Sequence, residues 1–166
     1  MLTKLRKPNS SGFTIIEVLI VLAIAGLIMV VVFLAVPALQ RSGRNNGLNT
    51  SANNLLAAVG NYASNNGGTL PATQAAAAPS SGTVTVGSTG NTEVVKVDSG
   101  VSSFQINGTN ITNAAAIGTM EVVTGTSAVC NSTGTGLSGT GSARSYVILF
   151  VVEGGGGTNL LKCVGT

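Results

Sequence analysis

From Phe13 to Leu39 the chain reads FTIIEVLIVLAIAGLIMVVVFLAVPAL, apolar almost throughout, with Glu17 as its only charge. Val18 to Val36 is an uncharged stretch of 19 residues, which as a helix spans about 28 Å, close to the thickness of a bilayer core. After Pro37 the pattern changes. Leu48, Ala52, Leu55, Leu56, Val59, Tyr62 and Ala63 recur at helical spacing, and Asn49, Asn53, Asn54, Asn61 and Ser64 fall on the other face. This predicts an amphipathic continuation of the helix over 40–68, ending near Asn65-Asn66-Gly67-Gly68, with Gly43 and Gly47 leaving its start open. Residues 69–92, rich in Ala, Ser, Thr, Gly and Pro, predict a loop with at most one short strand, Thr83–Val86. Five β-rich runs follow: Glu93–Val97, Ser103–Asn107, Met120–Thr124, Arg144–Glu153 and Leu160–Val164. Several strands behind one long helix imply an α+β fold, with an antiparallel sheet in a head over 69–166 lying on the helix. The apolar run Tyr146–Val152 is expected to be a central strand.

Charge sharpens this division. The formal net charge of the 166 residues is +3. Lys4, Arg6 and Lys7 precede Gly12, however. Beyond it, Arg41, Arg44, Lys96, Arg144 and Lys162 balance Glu17, Glu93, Asp98, Glu121 and Glu153. The body of the chain is therefore neutral, which argues against nucleic acid as a partner. With no Trp, two Tyr and four Phe, there is also little from which to build a base-stacking platform. The basic residues ahead of the apolar run belong on the cytoplasmic side of a membrane, which sends the C-terminal part outside.

A carboxylate inside lipid costs several kcal/mol and demands a partner or a role. An ordinary secretory signal places its small-residue cleavage site after the apolar region. Here Gly12 comes before that region. A plain signal-anchor would leave Glu17 unexplained. The ordered run Gly12-Phe13-Thr14-Ile15-Ile16-Glu17-Val18-Leu19, behind a short basic leader, resembles the processing site of type IV pilins and pseudopilins, over roughly residues 4–39. The resemblance implies that a prepilin peptidase removes residues 1–12 by cutting after Gly12, and that Phe13 is then N-methylated. It also implies that segment 13–39 anchors the subunit in the cytoplasmic membrane with the head outside. The segment would later pack, through an inner-membrane assembly platform, into the core of an extracellular filament of like subunits.

Two readings of Glu17 follow. A carboxylate in the first helical turn is favoured by the helix dipole, by about 0.3–1 kcal/mol. Alternatively, the Phe13 amine of a neighbouring subunit neutralises it and fixes axial register, and losing one member of such a pair costs about 3–5 kcal/mol. Gly26 weakens the helix by about 1 kcal/mol relative to Ala. Pro37 removes a backbone donor and is expected to kink or open the helix. Pilin helices commonly carry such breakers, so 26–37 is the expected malleable stretch, and a kinked membrane helix is the plainer reading.

Cys130 and Cys163 are the only cysteines. Facing an oxidising space they are expected to bond, closing a loop of 34 residues worth roughly 3–4 kcal/mol, with two free buried thiols as the alternative. The family resemblance supports the bridge, because pilins commonly close a C-terminal surface region this way.

No other motif carries chemistry. Gly134-x-Gly136-x-x-Gly139 has the letters of a dinucleotide fingerprint, with no helix after it. The chain has no His, which removes a Ser-His-Asp triad and the usual metal cages, and its acids are scattered, so neither an enzyme nor a cofactor is expected. The sequons at Asn49, Asn107, Asn110 and Asn131 are those expected by chance in so Asn- and Thr-rich a chain. The expectation is therefore a type IV pilus subunit serving adhesion, motility or DNA uptake. The nearest alternative is a type II secretion pseudopilin, and a membrane-anchored surface binding module is more distant. Major pseudopilins usually carry an acidic calcium-binding loop near the C-terminus. After Glu121 the only acid here is Glu153, which favours the pilus reading.

Overall fold

The computed structural model describes residues 12–87, 91–108 and 110–165. The basic leader lies outside them, apart from Gly12. The chain divides into two compact units, 1–40 and 41–166. One helix, α1 (Ile15–Asn65), runs from the first into the second.

In the first unit every described residue is exposed. The apolar segment has no periodicity because no face of it is turned to a core of its own. In the second unit the pattern of α1 becomes amphipathic, and Leu48, Ser51, Ala52, Leu55, Ala58, Val59 and Tyr62 are buried at helical spacing.

Among the described residues the head has seven strands: β1 (Gln74–Ala77), β2 (Thr83–Val86), β3 (Glu93–Lys96), β4 (Ser103–Ile106), β5 (Thr119–Thr124), β6 (Tyr146–Glu153) and β7 (Asn159–Gly165). Five form one sheet in the order β1-β4-β5-β6-β7, while β2 and β3 form a separate antiparallel pair. β6 is hydrogen-bonded on both sides, as its apolar run led one to expect, although β5 is the middle strand.

Three expectations need correction. β1 falls inside the stretch read as loop: the Ala-rich Gln74–Ala77 has little strand propensity and is held as an edge by pairing with β4. The strands form two sheets rather than one. The main sheet is also not wholly antiparallel, since β4 and β5 run parallel, Ser103 opposite Thr119 through Ile106 opposite Val122. A parallel pair needs a crossover, and here residues 107–118 supply it.

Both faces of the main sheet are covered, which explains why β6 reads as continuous hydrophobics instead of alternating. On the helix side, Phe104, Ile106, Met120, Val122, Ile148, Phe150 and Val152 pack with α1 and with Val84, Val86 and Val95 of the β2–β3 hairpin. On the outer side, Val123, Val147, Leu149 and Val151 pack with Ile111 of the crossover and Ala128.

Polar groups fasten the helix to the strands. The Asn45 amide donates to the Glu153 carbonyl at 2.8 Å and accepts from the Glu153 N–H at 3.1 Å. Arg41 donates to the Gly154 carbonyl, and Arg44 pairs with the Glu153 carboxylate. Ser51 Oγ accepts the Asp98 N–H at 2.8 Å. Gly47 permits this approach, because a Cβ there would sit 2.7 Å from the Asp98 carboxylate.

Candidate functional site

The residues singled out for processing and assembly cluster at the start of α1. Gly12 and Phe13 precede the helix and are exposed, Phe13 by 89%. Glu17 lies in the first helical turn. Its carboxylate oxygen Oε2 accepts the Thr14 N–H at 2.8 Å and the Thr14 hydroxyl at 2.8 Å, while Thr14 Oγ1 faces the Glu17 N–H at 3.4 Å. Thr14 thus occupies the N-cap and Glu17 the third helical position, each serving the other's backbone donor. Replacing such a cap by Ala typically costs about 0.5–2 kcal/mol.

Within a single chain, then, Glu17 already has a partner. That partner is Thr14 of its own first turn, and a contact to a second subunit would add to it. The role of Thr14 was missed in the sequence, although the signal was present: Thr14-x-x-Glu17 immediately before an apolar run is a capping-box signature. Phe13, Val18, Val21 and Leu22 line a shallow apolar groove beside Glu17.

The rest of the segment is a surface without a cover. Ile15, Ile16, Val18 to Leu22, Ile24, Leu27 to Leu34, Val36 and Leu39 are all exposed. A contiguous apolar surface of this kind marks membrane or protein contact. By length and composition α1 can cross a membrane. Gly26 has open space around it, and the helix continues as α-helix through Pro37.

The cysteines belong to the other unit. Cys130 and Cys163 are bonded, with Cα atoms 5.6 Å apart. The bridge ties the 125–145 loop to β7, and the Cys163 N–H donates to the Gly134 carbonyl at 2.8 Å. The Gly134–Gly139 motif therefore forms part of this surface loop, and the next element after it is the strand β6. Among the described residues no three His, Cys, Asp or Glu side chains gather where a metal could be held.

A family model, the prokaryotic N-terminal methylation motif, matches residues 7–33. No curated protein and no solved structure matches the chain. The matched span begins in the basic leader and takes in Gly12, the Thr14–Glu17 cap and most of the uncovered apolar helix. Residues 7–33 thus carry the N-terminal methylation motif, the class III signal peptide found in type IV pilins and pseudopilins.

Proposed function

We propose that this protein is a structural subunit of a type IV pilus. Before assembly it is held in the cytoplasmic membrane by residues 13–39 with its head outside. Afterwards it stands in an extracellular filament used for adhesion, motility or DNA uptake. The observation that carries this reading is the wholly uncovered apolar half of α1, headed by a single capped carboxylate. Transfer of that half from lipid into a bundle of identical helices keeps its apolar surface out of water. Glu17 then sets the register, because only one axial offset brings it to the Phe13 amine of the next subunit.

The capping box makes the register role testable apart from helix initiation. Gln at the third helical position can still accept the Thr14 N–H, but it carries no charge. If the charge pair sets register, Glu17→Gln and Glu17→Ala both abolish filaments on the cell surface. Filaments from Glu17→Gln at wild-type level would assign Glu17 to the cap alone.

The pseudopilin reading shares every N-terminal feature. Two observations favour the pilus: the Cys130–Cys163 bridge, and the single acid after Glu121, which is engaged with Arg44. N-terminal sequencing of sheared surface material should begin at methylated Phe13. Electron microscopy should show long extracellular filaments, whereas a short periplasmic structure would select the pseudopilin.

A further inference from the structure

Asn-Gly occurs at three places in the chain, Asn46-Gly47, Asn66-Gly67 and Asn107-Gly108. The pair has a chemistry of its own. The glycine nitrogen can attack Cγ of the preceding asparagine and close a five-membered ring, because glycine puts no Cβ in the way. Both atoms belong to adjacent residues, so their meeting depends on how firmly the torsions between them are held. The three sites differ in this.

Gly47 lies inside α1, where each N–H is committed to the carbonyl four residues back. It also packs against Asp98, and the next residue, Leu48, is buried. Asn107 is clamped at both ends of its amide. Nδ2 donates to Thr124 Oγ1 at 2.6 Å, and Oδ1 accepts the Thr124 N–H at 2.7 Å. Its own N–H donates to the Val122 carbonyl at 2.8 Å. Gly108 is crowded by Gln105, whose Cδ would lie 2.6 Å from a Cβ there.

Asn66 is held least. α1 ends at Asn65, and the turn after it is closed by the Gly68 N–H, which donates to the Ala63 carbonyl at 2.7 Å across Gly67, at φ +63°. In this type of helix end the N–H of the left-handed residue donates to the carbonyl three residues back, here Ser64. The Gly67 N–H instead has no hydrogen-bond partner among the described residues. Gly67 is exposed, and a Cβ on it would meet nothing within 4 Å. One contact, from Nδ2 to the Tyr62 carbonyl at 2.8 Å, holds the Asn66 side chain, at a helix end of the kind that frays.

We propose that Asn66 is a self-modification site that turns the end of α1 from neutral to anionic as the protein ages. The Gly67 nitrogen gives its proton to solvent base and bonds to Asn66 Cγ. The Cγ–Nδ2 bond breaks, ammonia leaves, and a cyclic imide remains. Water then opens the ring at either carbonyl, giving aspartate or an isoaspartate whose backbone runs through Cβ. In sum, one water is taken up and one ammonia is lost. The new carboxylate cannot donate to the Tyr62 carbonyl, and it stands at the negative end of the helix dipole. Side-chain charges beyond Gly12 sum to zero, five basic against five acidic, so each converted subunit is set apart by one whole charge.

The test is to age the full-length protein in nonionic detergent micelles in mildly alkaline buffer, beside a sample unfolded in urea. Peptide mass spectrometry, with fragmentation that separates aspartate from isoaspartate, follows each site. The unfolded sample gives each site its intrinsic rate. Folding should slow Asn107 by about fivefold or more, the factor that two hydrogen bonds supply at their least, and Asn46 further. Asn66 should be slowed less than either and convert first. Conversion at Asn66 no faster than at Asn46 or Asn107 in the folded protein overturns the proposal. Ion exchange gives a second reading. An acidic form should build up in wild type and be missing over the same period from Asn66→Gln, whose longer side chain does not close the five-membered ring. An acidic form that grows as fast in Asn66→Gln refutes it.

Discussion

Asn45 contributes more to the head than the neighbouring ion pair that a reader of the sequence would pick. Val151 gives its carbonyl to Gly118, just ahead of the start of β5. Two residues further along β6, Glu153 points its backbone the same way, with no more of β5 to meet. There the Asn45 side chain supplies one donor and one acceptor, continuing the ladder from the helix. In Asn45→Ala both Glu153 backbone groups lose their partner in a half-buried setting. At about 0.5–1.5 kcal/mol for each bond the expected loss is about 1–3 kcal/mol. Arg44→Ala removes a pair whose arginine is largely exposed, for which about 0–1 kcal/mol is expected.

The assay is urea unfolding of the processed full chain in micelles, followed by near-ultraviolet circular dichroism. Both tyrosines, Tyr62 and Tyr146, are in or against the helix-side core, so the signal reports the head. The midpoint should fall further for Asn45→Ala than for Arg44→Ala, with the slope unchanged. Equal losses, or a loss below about 0.5 kcal/mol for Asn45→Ala, would refute the ladder argument, since that is the least a net hydrogen bond is worth.

Two further outcomes are expected. Reducing Cys130–Cys163, or replacing both cysteines by Ser, frees the loop they close and should lower unfolding free energy by roughly 3–4 kcal/mol; a loss below about 1 kcal/mol in the same titration would show that the loop is held without the bridge. Phe150→Ala removes a buried phenyl ring from the helix-side core and should cost about 3–5 kcal/mol, while the exposed Val94→Ala should stay within about 0.5 kcal/mol, both read from the same midpoint.

The parts legible in the sequence were those whose partners lie within the same element. The spacing of Leu48, Ala52, Leu55, Val59 and Tyr62 gave the packed half of α1 because a helix presents one face to one core. Thr83–Val86 was found to the residue, since its alternation and flanking turns are local. The β4–β5 pairing was not legible. Nothing in Ser103–Ile106 or Thr119–Thr124 states a direction, and the parallel sense is fixed by the 107–118 crossover, whose Asn, Ala and Thr residues look like any surface loop.

The burial of Glu121 follows from that crossover. In a meander the outer face of β5 would be open to water and a carboxylate there would be unremarkable. Once the crossover is laid over that face, the same residue becomes the most buried charge in the head. The apolar segment shows the converse. It has no periodicity, and the structure gives it no cover on any face, as expected of a surface that marks membrane or protein contact.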